Sequence, residues 1–401
     1  MWFFLPFRNL FRNCRRTCAI LLTIGMGAGV LFSFDGFING VLTEYRETTI
    51  HSHYGYGQIN RKGYREMVYE RPTDHWMGNW NRLNHFLLDQ KGVTGIFPRV
   101  SFSALLSKGN TTISGEGQGV DAEKEASFFD SLNVEEGQTL YKQENGILLG
   151  KGLAKALHVK PGDSVTVTAT SVKGAINKAK FTVIGIFNTG AADFDGRIFR
   201  VQLKEAQNLL NTNKIETVSL GLRNLSDWKS VASAIEQTFP QLEATSFDVL
   251  DKIYYQHSVD WLNAQFKVVQ VIILSIVLLG IFNTVSAAIL ERKQEIGNLR
   301  ANGESVFQIM QLILTEGFIL GVLGTAFGLG LSYFVLTLFV DGGIRMPPGP
   351  GQTSQFLVRF RFEWYMLLLP FILNIASALV ASFFAGIRVA RMAIADALRS
   401  Y

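Results

Sequence analysis

The sequence predicts a membrane protein with four transmembrane helices and a large α+β domain inserted between the first and the second. Three observations carry this. Of the 401 residues, 48% are hydrophobic and only 18% are charged, whereas an ordinary soluble domain carries ~25% charge. The apolar residues gather in four runs, spaced very unequally: one near the N-terminus, then three close together after a long gap. That gap is ordinary in composition and contains every histidine (His51, His53, His75, His85, His158 and His257). A mean hydropathy of +0.18 excludes a disordered chain.

Residues 1–16 place Phe4, Phe7, Leu10 and Phe11 at helical spacing, with Arg8, Arg12, Arg15 and Arg16 among and after them. This pattern suits an amphipathic helix lying on the membrane surface. Residues 17–42 are the first transmembrane helix, with an uncharged core over 17–34. A cleaved signal peptide is the rival reading. The run exceeds a signal h-region, and Asp35-Gly36-Phe37 offers no small-x-small cleavage site. Gly25 and Gly29 form a small-xxx-small pair that permits close helix approach. Cys14 and Cys18 are the only cysteines, so no disulfide framework exists. At i, i+4 they read as small apolar packing, with lipidation at the membrane interface as the alternative.

Residues 43–263 are the large domain. Strand-like runs fall at 164–169, 180–187, 199–203 and 216–222, and helical patterns at 74–90, 151–157, 204–211 and 227–239. Mixed strands and helices give the α+β assignment. The Gly- and Ser-rich stretch 107–127 reads as a surface loop. The second transmembrane helix is 264–290. Since no breaker separates residue 254 from it, one helix is expected to leave the membrane as a stalk, with a matching extension of the first helix beyond Asp35.

Residues 291–304 form a charged segment ending at Gly303, in which Ile296 and Leu299 share a helical face. Two readings stand: a short helix offering an apolar edge to a protein partner, or a solvated loop. The third transmembrane helix is 305–340. It places Glu316 beside Gly317, Gly321, Gly324 and Gly328, which recur on one stripe and allow tight packing. An intramembrane carboxylate is costly. Glu316, near one membrane interface, reads as a structural anchor or a polar bond to a neighbouring helix, with a direct functional role as the alternative, and Asp35 reads as a residue of the opposite interface. A loop over 341–363, a fourth helix over 364–388 and a tail over 389–401 complete the chain. Trp261, Trp364 and Tyr365 mark helix edges as interfacial aromatics do.

Charge sets the orientation. Arg8, Arg12, Arg15, Arg16, Arg292, Lys293, Arg300, Arg388, Arg391 and Arg399 fall on one side, against Arg345, Arg359 and Arg361 on the other. Both termini are therefore expected in the cytoplasm. The net charge of +5 is largely this collar, and no nucleic-acid-binding pattern is present.

Catalytic constellations are missing. The segment Gly146-Ile-Leu-Leu-Gly150-Lys151-Gly152 falls one residue short of a P-loop and lacks its Ser or Thr, so the chain itself is not expected to bind ATP or to be an enzyme. His51 and His53 lack further metal ligands, and no metal or catalytic residue is assigned. Asp193 and Asp195 read as turn-forming carboxylates, with a partner-contact loop as the alternative.

At this point a family resemblance emerges. The stretch Glu291-Arg-Lys-Gln-Glu-Ile-Gly-Asn-Leu-Arg-Ala-Asn-Gly303 resembles the E-R-x-x-E-I-G-x-L-R-A-x-G segment of MacB/FtsX-type ABC-transporter permeases, the mechanotransmission class that includes LolC and LolE. Glu316 with its glycines, the closing Arg388-Val-Ala-Arg-Met-Ala-Ile-Ala-Asp-Ala-Leu-Arg399 and the outer-domain stretch 146–163 are similar to further family segments. The closing motif lacks the usual Pro. The resemblance implies an inner-membrane permease whose large domain is periplasmic and whose residues 291–304 are a coupling helix docking on a cytoplasmic ABC ATPase dimer. Its ATPase-coupling residues are then Glu291, Arg292, Glu295, Ile296, Gly297, Leu299, Arg300 and Gly303. The chain would carry no cofactor; ATP and Mg would bind the partner ATPase. A second permease subunit, the same or homologous, is implied, together with a lipid or lipoprotein substrate and a periplasmic carrier. The alternatives are a signalling lever acting on a periplasmic enzyme such as a cell-wall hydrolase, and efflux with outer partners.

Overall fold

The computed structural model describes residues 14–68, 70, 72–129, 132–141, 145–250, 252, 257–340, 342–347 and 355–393. The expected surface helix over 1–16 lies outside these residues except for Cys14, Arg15 and Arg16. The tail is described only to residue 393. The chain divides into two compact units. One contains the long helices (Met1–Glu44, Val259–Ile344 and Leu357–Tyr401), and the other is Tyr45–Ser258 with Arg345–Phe356.

Helix α1 spans Cys14–Thr49, 36 residues. Its length of about 54 Å exceeds the ~30 Å of bilayer hydrocarbon. It ends in a π turn, Ile50–Tyr54, closed by Gly55 at φ 70°, a conformation that suits glycine.

Among the described residues the second unit is built on ten strands. In chain order its elements are β1 (Gly57–Arg61), α2 (Asn81–Leu88), β2 (Val93–Lys108), β3 (Thr111–Val120), β4 (Asn133–Gly137), β5 (Gly146–Gly150), α3 (Lys151–Leu157), β6 (Ser164–Thr170), β7 (Ile176–Asn188), β8 (Ile198–Gln202), α4 (Leu203–Leu210), β9 (Thr217–Leu222), α5 (Trp228–Thr238) and β10 (Leu242–Ser246). The strand order is β10-β1-β9-β2-β3-β8-β5-β7-β4, and β6 pairs with both β2 and β7. Strands β2, β3, β8, β5, β7 and β6 therefore close into a barrel. On the edge away from β3, long β2 serves two neighbours: its first half pairs with β9 (Ile96 opposite Leu220), its second with β6 (Leu106 opposite Val167). Alternation fills the interior with Ile147, Leu149, Phe181, Val183, Phe199 and Val201. Leu148, Phe187 and Ile198 face the other way, into a smaller cluster.

Two expectations are corrected here. The stretch 107–127 is not a surface loop: β2 and β3 form a hairpin, turning at Gly109 (φ 57°). Its alternate glycines sit where neighbours crowd the strand. A Cβ at Gly117 would meet Phe102 Cζ at 2.5 Å and Phe199 Cζ at 2.6 Å. The glycines thus mark close packing. The helical pattern over 74–90 is also interrupted. Pro72–His75 is a 3-10 turn, buried Met77 bridges to Ile215, and α2 starts only at Asn81.

The first unit adds α6 (His257–Glu291), α7 (Lys293–Ala301), α8 (Val306–Phe339) and α9 (Leu368–Ala390). Among the described residues four helices, beginning at Cys14, His257, Val306 and Trp364, are long and apolar enough to cross a membrane. Helix α6 is continuous over 35 residues, and its buried residues, Ile281, Val285, Ala288 and Ile289, all lie near its C-terminal end.

The glycine stripe of α8 divides between two partners. Gly317 and Gly321 face α9, where Cβ atoms would contact Ser382 and Ile375, while Gly324 and Gly328 face α1 at Ile24 and Gly25. Gly25 and Gly29 supply the other side of this crossing, which Ser33 Oγ and Ser332 Oγ join at 2.7 Å.

Candidate functional site: the elbow between the second and third long helices

Local sequence makes α7 a separate short helix. Glu291 ends α6, and the backbone turns at Arg292, whose N–H donates to the Ile289 carbonyl at 3.1 Å. Gly303, at φ 95°, ends α7 in the left-handed conformation common after helices. Two residues later Ser305 opens α8 with a reciprocal capping box. Its Oγ accepts from the Gln308 N–H at 3.3 Å, and Gln308 Oε1 accepts from the Ser305 N–H at 2.8 Å.

Three anchors hold the elbow. Ile296 is 5% exposed and joins the core cluster that contains Ile289, Ile309, Ile313 and Val389. Arg292 donates through Nε to Glu295 at 2.9 Å and through Nη1 to Glu316 at 2.5 Å. Arg300 Nη1 donates to the Met392 carbonyl at 2.6 Å, tying α7 to the end of α9. The opposite face is open: Glu291, Gln294, Asn298 and Ala301 are all exposed. Beside it lies a cavity of about 450 Å³, lined among others by Arg292, Glu295, Leu299, Glu304 and Leu312.

The structure rearranges the residues singled out from sequence. Arg292 and Glu316, placed in separate groups, form one ion pair. Ile296 and Gly297 turn inward, so the apolar edge expected of Ile296 is not on the outer surface. Leu299 is half-buried at the cavity, and Gly303 is exposed and shapes the turn. Sequence reasoning missed the Met392 carbonyl, since a backbone acceptor leaves no side-chain signal. It also missed the partner of Asp35: Gln270 Nε2 donates to Asp35 Oδ1 at 2.8 Å. Gln270 stands out only as a polar interruption of an apolar run.

The near-P-loop has a packing explanation. A Cβ at Gly152 would lie 2.8 Å from Gly196 Cα. The loop pressing there is tied by Asp195, which accepts from the Thr189 N–H at 3.0 Å and its hydroxyl at 2.9 Å. Asp195 is therefore a turn-former; Asp193 is exposed. His51 Nδ1 meets the Phe128 carbonyl at 2.6 Å, while His53 packs edge-on against Phe194. Among the described residues no group of three His, Cys, Asp or Glu side chains could hold a metal ion.

Long apolar helices, a mixed α and β domain and a pinned elbow are the parts that the family matches join into a permease of the ABC-transporter kind. Residues 17–238 match the MacB-like periplasmic core domain and residues 267–394 the FtsX-like permease C-terminal domain. The chain belongs to this MacB/FtsX-type family. It is similar to the lipoprotein-releasing system transmembrane protein LolE of Haemophilus influenzae, with 24% identity over 346 residues, 82% of each chain. It is also similar to LolC of Neisseria meningitidis serogroup B (26% identity, 78% of this chain and 75% of that one) and of Xylella fastidiosa (25%, 95% and 93%).

Proposed function

We propose that this permease couples ATP hydrolysis by a separate cytoplasmic ATPase dimer to motion of its large domain on the periplasmic side, and that this motion extracts a lipoprotein or lipid from the inner membrane for a periplasmic carrier. Both termini lie in the cytoplasm, and a second permease subunit completes the membrane assembly. The observation that carries the reading is the elbow itself. A short helix anchored at Arg292, Ile296 and Arg300 presents an exposed polar face while remaining tied to three long helices. Force applied to that face reaches the helices without first distorting a loose loop. The likeness to LolC and LolE supports the substrate class.

The test reverses the exposed face and spares the anchors. The pair Glu291→Arg and Asn298→Arg, introduced into the full chain and co-expressed with its ATPase, should abolish co-purification. Thermal stability should stay within about 0.5 kcal/mol, as for other surface changes. Undiminished co-purification would defeat the coupling assignment.

A further inference from the structure

Beyond the elbow, the large domain contains a buried charge cluster with no catalytic surroundings. Arg99 on β2, Arg200 on β8 and Glu125 at the end of the short helix Ala122–Glu125 are 2%, 3% and 3% exposed. Arg99 places Nε 2.6 Å and Nη2 2.9 Å from the Glu125 carboxylate, and its guanidinium lies 4.1 Å from the Phe129 ring centre. Arg200 Nη1 donates to the same carboxylate at 3.3 Å, and its Nε to Gln118 Oε1 at 3.1 Å. Two cations thus share one anion, which leaves one positive charge to be compensated.

That compensation comes from the end of the stalk. Arg200 Nη2 donates to the Ser52 carbonyl at 3.1 Å, and Arg99 Nη1 donates to the His53 carbonyl. Both carbonyls belong to the π turn that ends α1. A helix C-terminus carries roughly half a negative charge and carbonyls without intrahelical partners. Two strands therefore cap this helix end from across the chain. Burial pulls the Arg200 guanidinium down to about 9, with Glu125 opposing, so it stays cationic at neutral pH.

We propose that Arg99, Glu125 and Arg200 are the joint through which motion of α1 enters the barrel, and that they act as positioning residues for the coupled activity. The inference rests on the proposed ATP-driven motion. It adds that the stalk end and strands β2 and β8 move as one body because the carbonyl caps and the shared carboxylate cannot be released singly without exposing a buried charge.

The test uses the permease–ATPase complex in proteoliposomes that carry a tri-acylated lipoprotein as probe. Arg200→Met should leave ATP hydrolysis within about two-fold of wild type and reduce ATP-dependent release by about ten-fold or more, the scale of coupling between sites. The triple variant Arg99→Met, Glu125→Leu, Arg200→Met keeps the space filled without charge. It should show the same split where the single change unfolds the domain. A folded variant that retains both hydrolysis and release overturns the joint alone. A wild-type complex that hydrolyses ATP without release overturns the functional reading, and the joint with it.

Discussion

The crossing of α1 and α8 offers a sharp test, because two glycines of one helix should respond in opposite directions. Gly328 lies against the Gly25 backbone, whereas nothing is within 4 Å of a Cβ built at Gly330. At Gly328 an alanine methyl would overlap the Gly25 carbonyl, so the helices must part by about 1.5 Å to regain contact near ~3.5 Å. Such a shift would take the 2.7 Å Ser33–Ser332 bond and the 3.2 Å bond from Ser332 Oγ to the Gly29 carbonyl past the ~3.5 Å limit. Overpacking costs about 1–3 kcal/mol, and interhelical hydrogen bonds in membranes average ~0.6 kcal/mol each. Against this, replacing a mid-helix glycine by alanine returns roughly 0.5–1 kcal/mol. Gly328→Ala should therefore destabilise the protein by about 2 kcal/mol, while Gly330→Ala should be neutral or stabilising. Unfolding of the full chain in mixed detergent micelles, followed by helical circular dichroism, measures both. If Gly328→Ala proves as stable as Gly330→Ala, the close crossing is refuted.

Two further outcomes concern the large domain. Gly117→Ala, against the Phe102 and Phe199 rings, should cost about 1–3 kcal/mol; a variant melting at or above wild type would contradict the barrel packing. Glu216, 6% exposed, accepts from the Tyr64 hydroxyl and from the Ser101 N–H at 2.5 Å, yet burial raises its carboxyl above the ordinary 4.5. A raised pKa means that the folded state favours the proton. The stability this contributes is complete below 4.5 and is lost as pH rises through the folded value. Glu216→Gln should therefore gain melting temperature relative to wild type as pH rises above 4.5; a difference that stays constant with pH would exclude the effect.

The long helices were legible because each needs only a run of apolar residues, and sequence expresses that directly. Helices α3, α4 and α5 and strands β6, β7, β8 and β9 were visible for the same local reason, whereas β2, the longest strand, was not. Stretch 107–127 resembles a loop in the sequence because glycine in a strand and glycine in a loop look alike until the rings of Phe102 and Phe199 are in place. The 74–90 pattern failed where Met77 left helical conformation to pair with Ile215. The motif 291–303 was legible as a segment, but the side it turns outward was not. Ile296 points inward because Ile309, Ile313 and Val389 gather around it.

By itself, the sequence determined that this chain has four apolar runs, that their unequal spacing leaves room for one large domain, and where its Lys and Arg residues cluster along the chain. These are properties of local composition and survive any arrangement of the parts. Tertiary structure alone decided that Arg292 meets Glu316, that one glycine stripe serves two helices, that six strands close into a barrel and that Arg99 and Arg200 cap the end of α1. Each joins residues far apart in the chain, and whether such a pair meets depends on how the elements pack, which local composition does not encode.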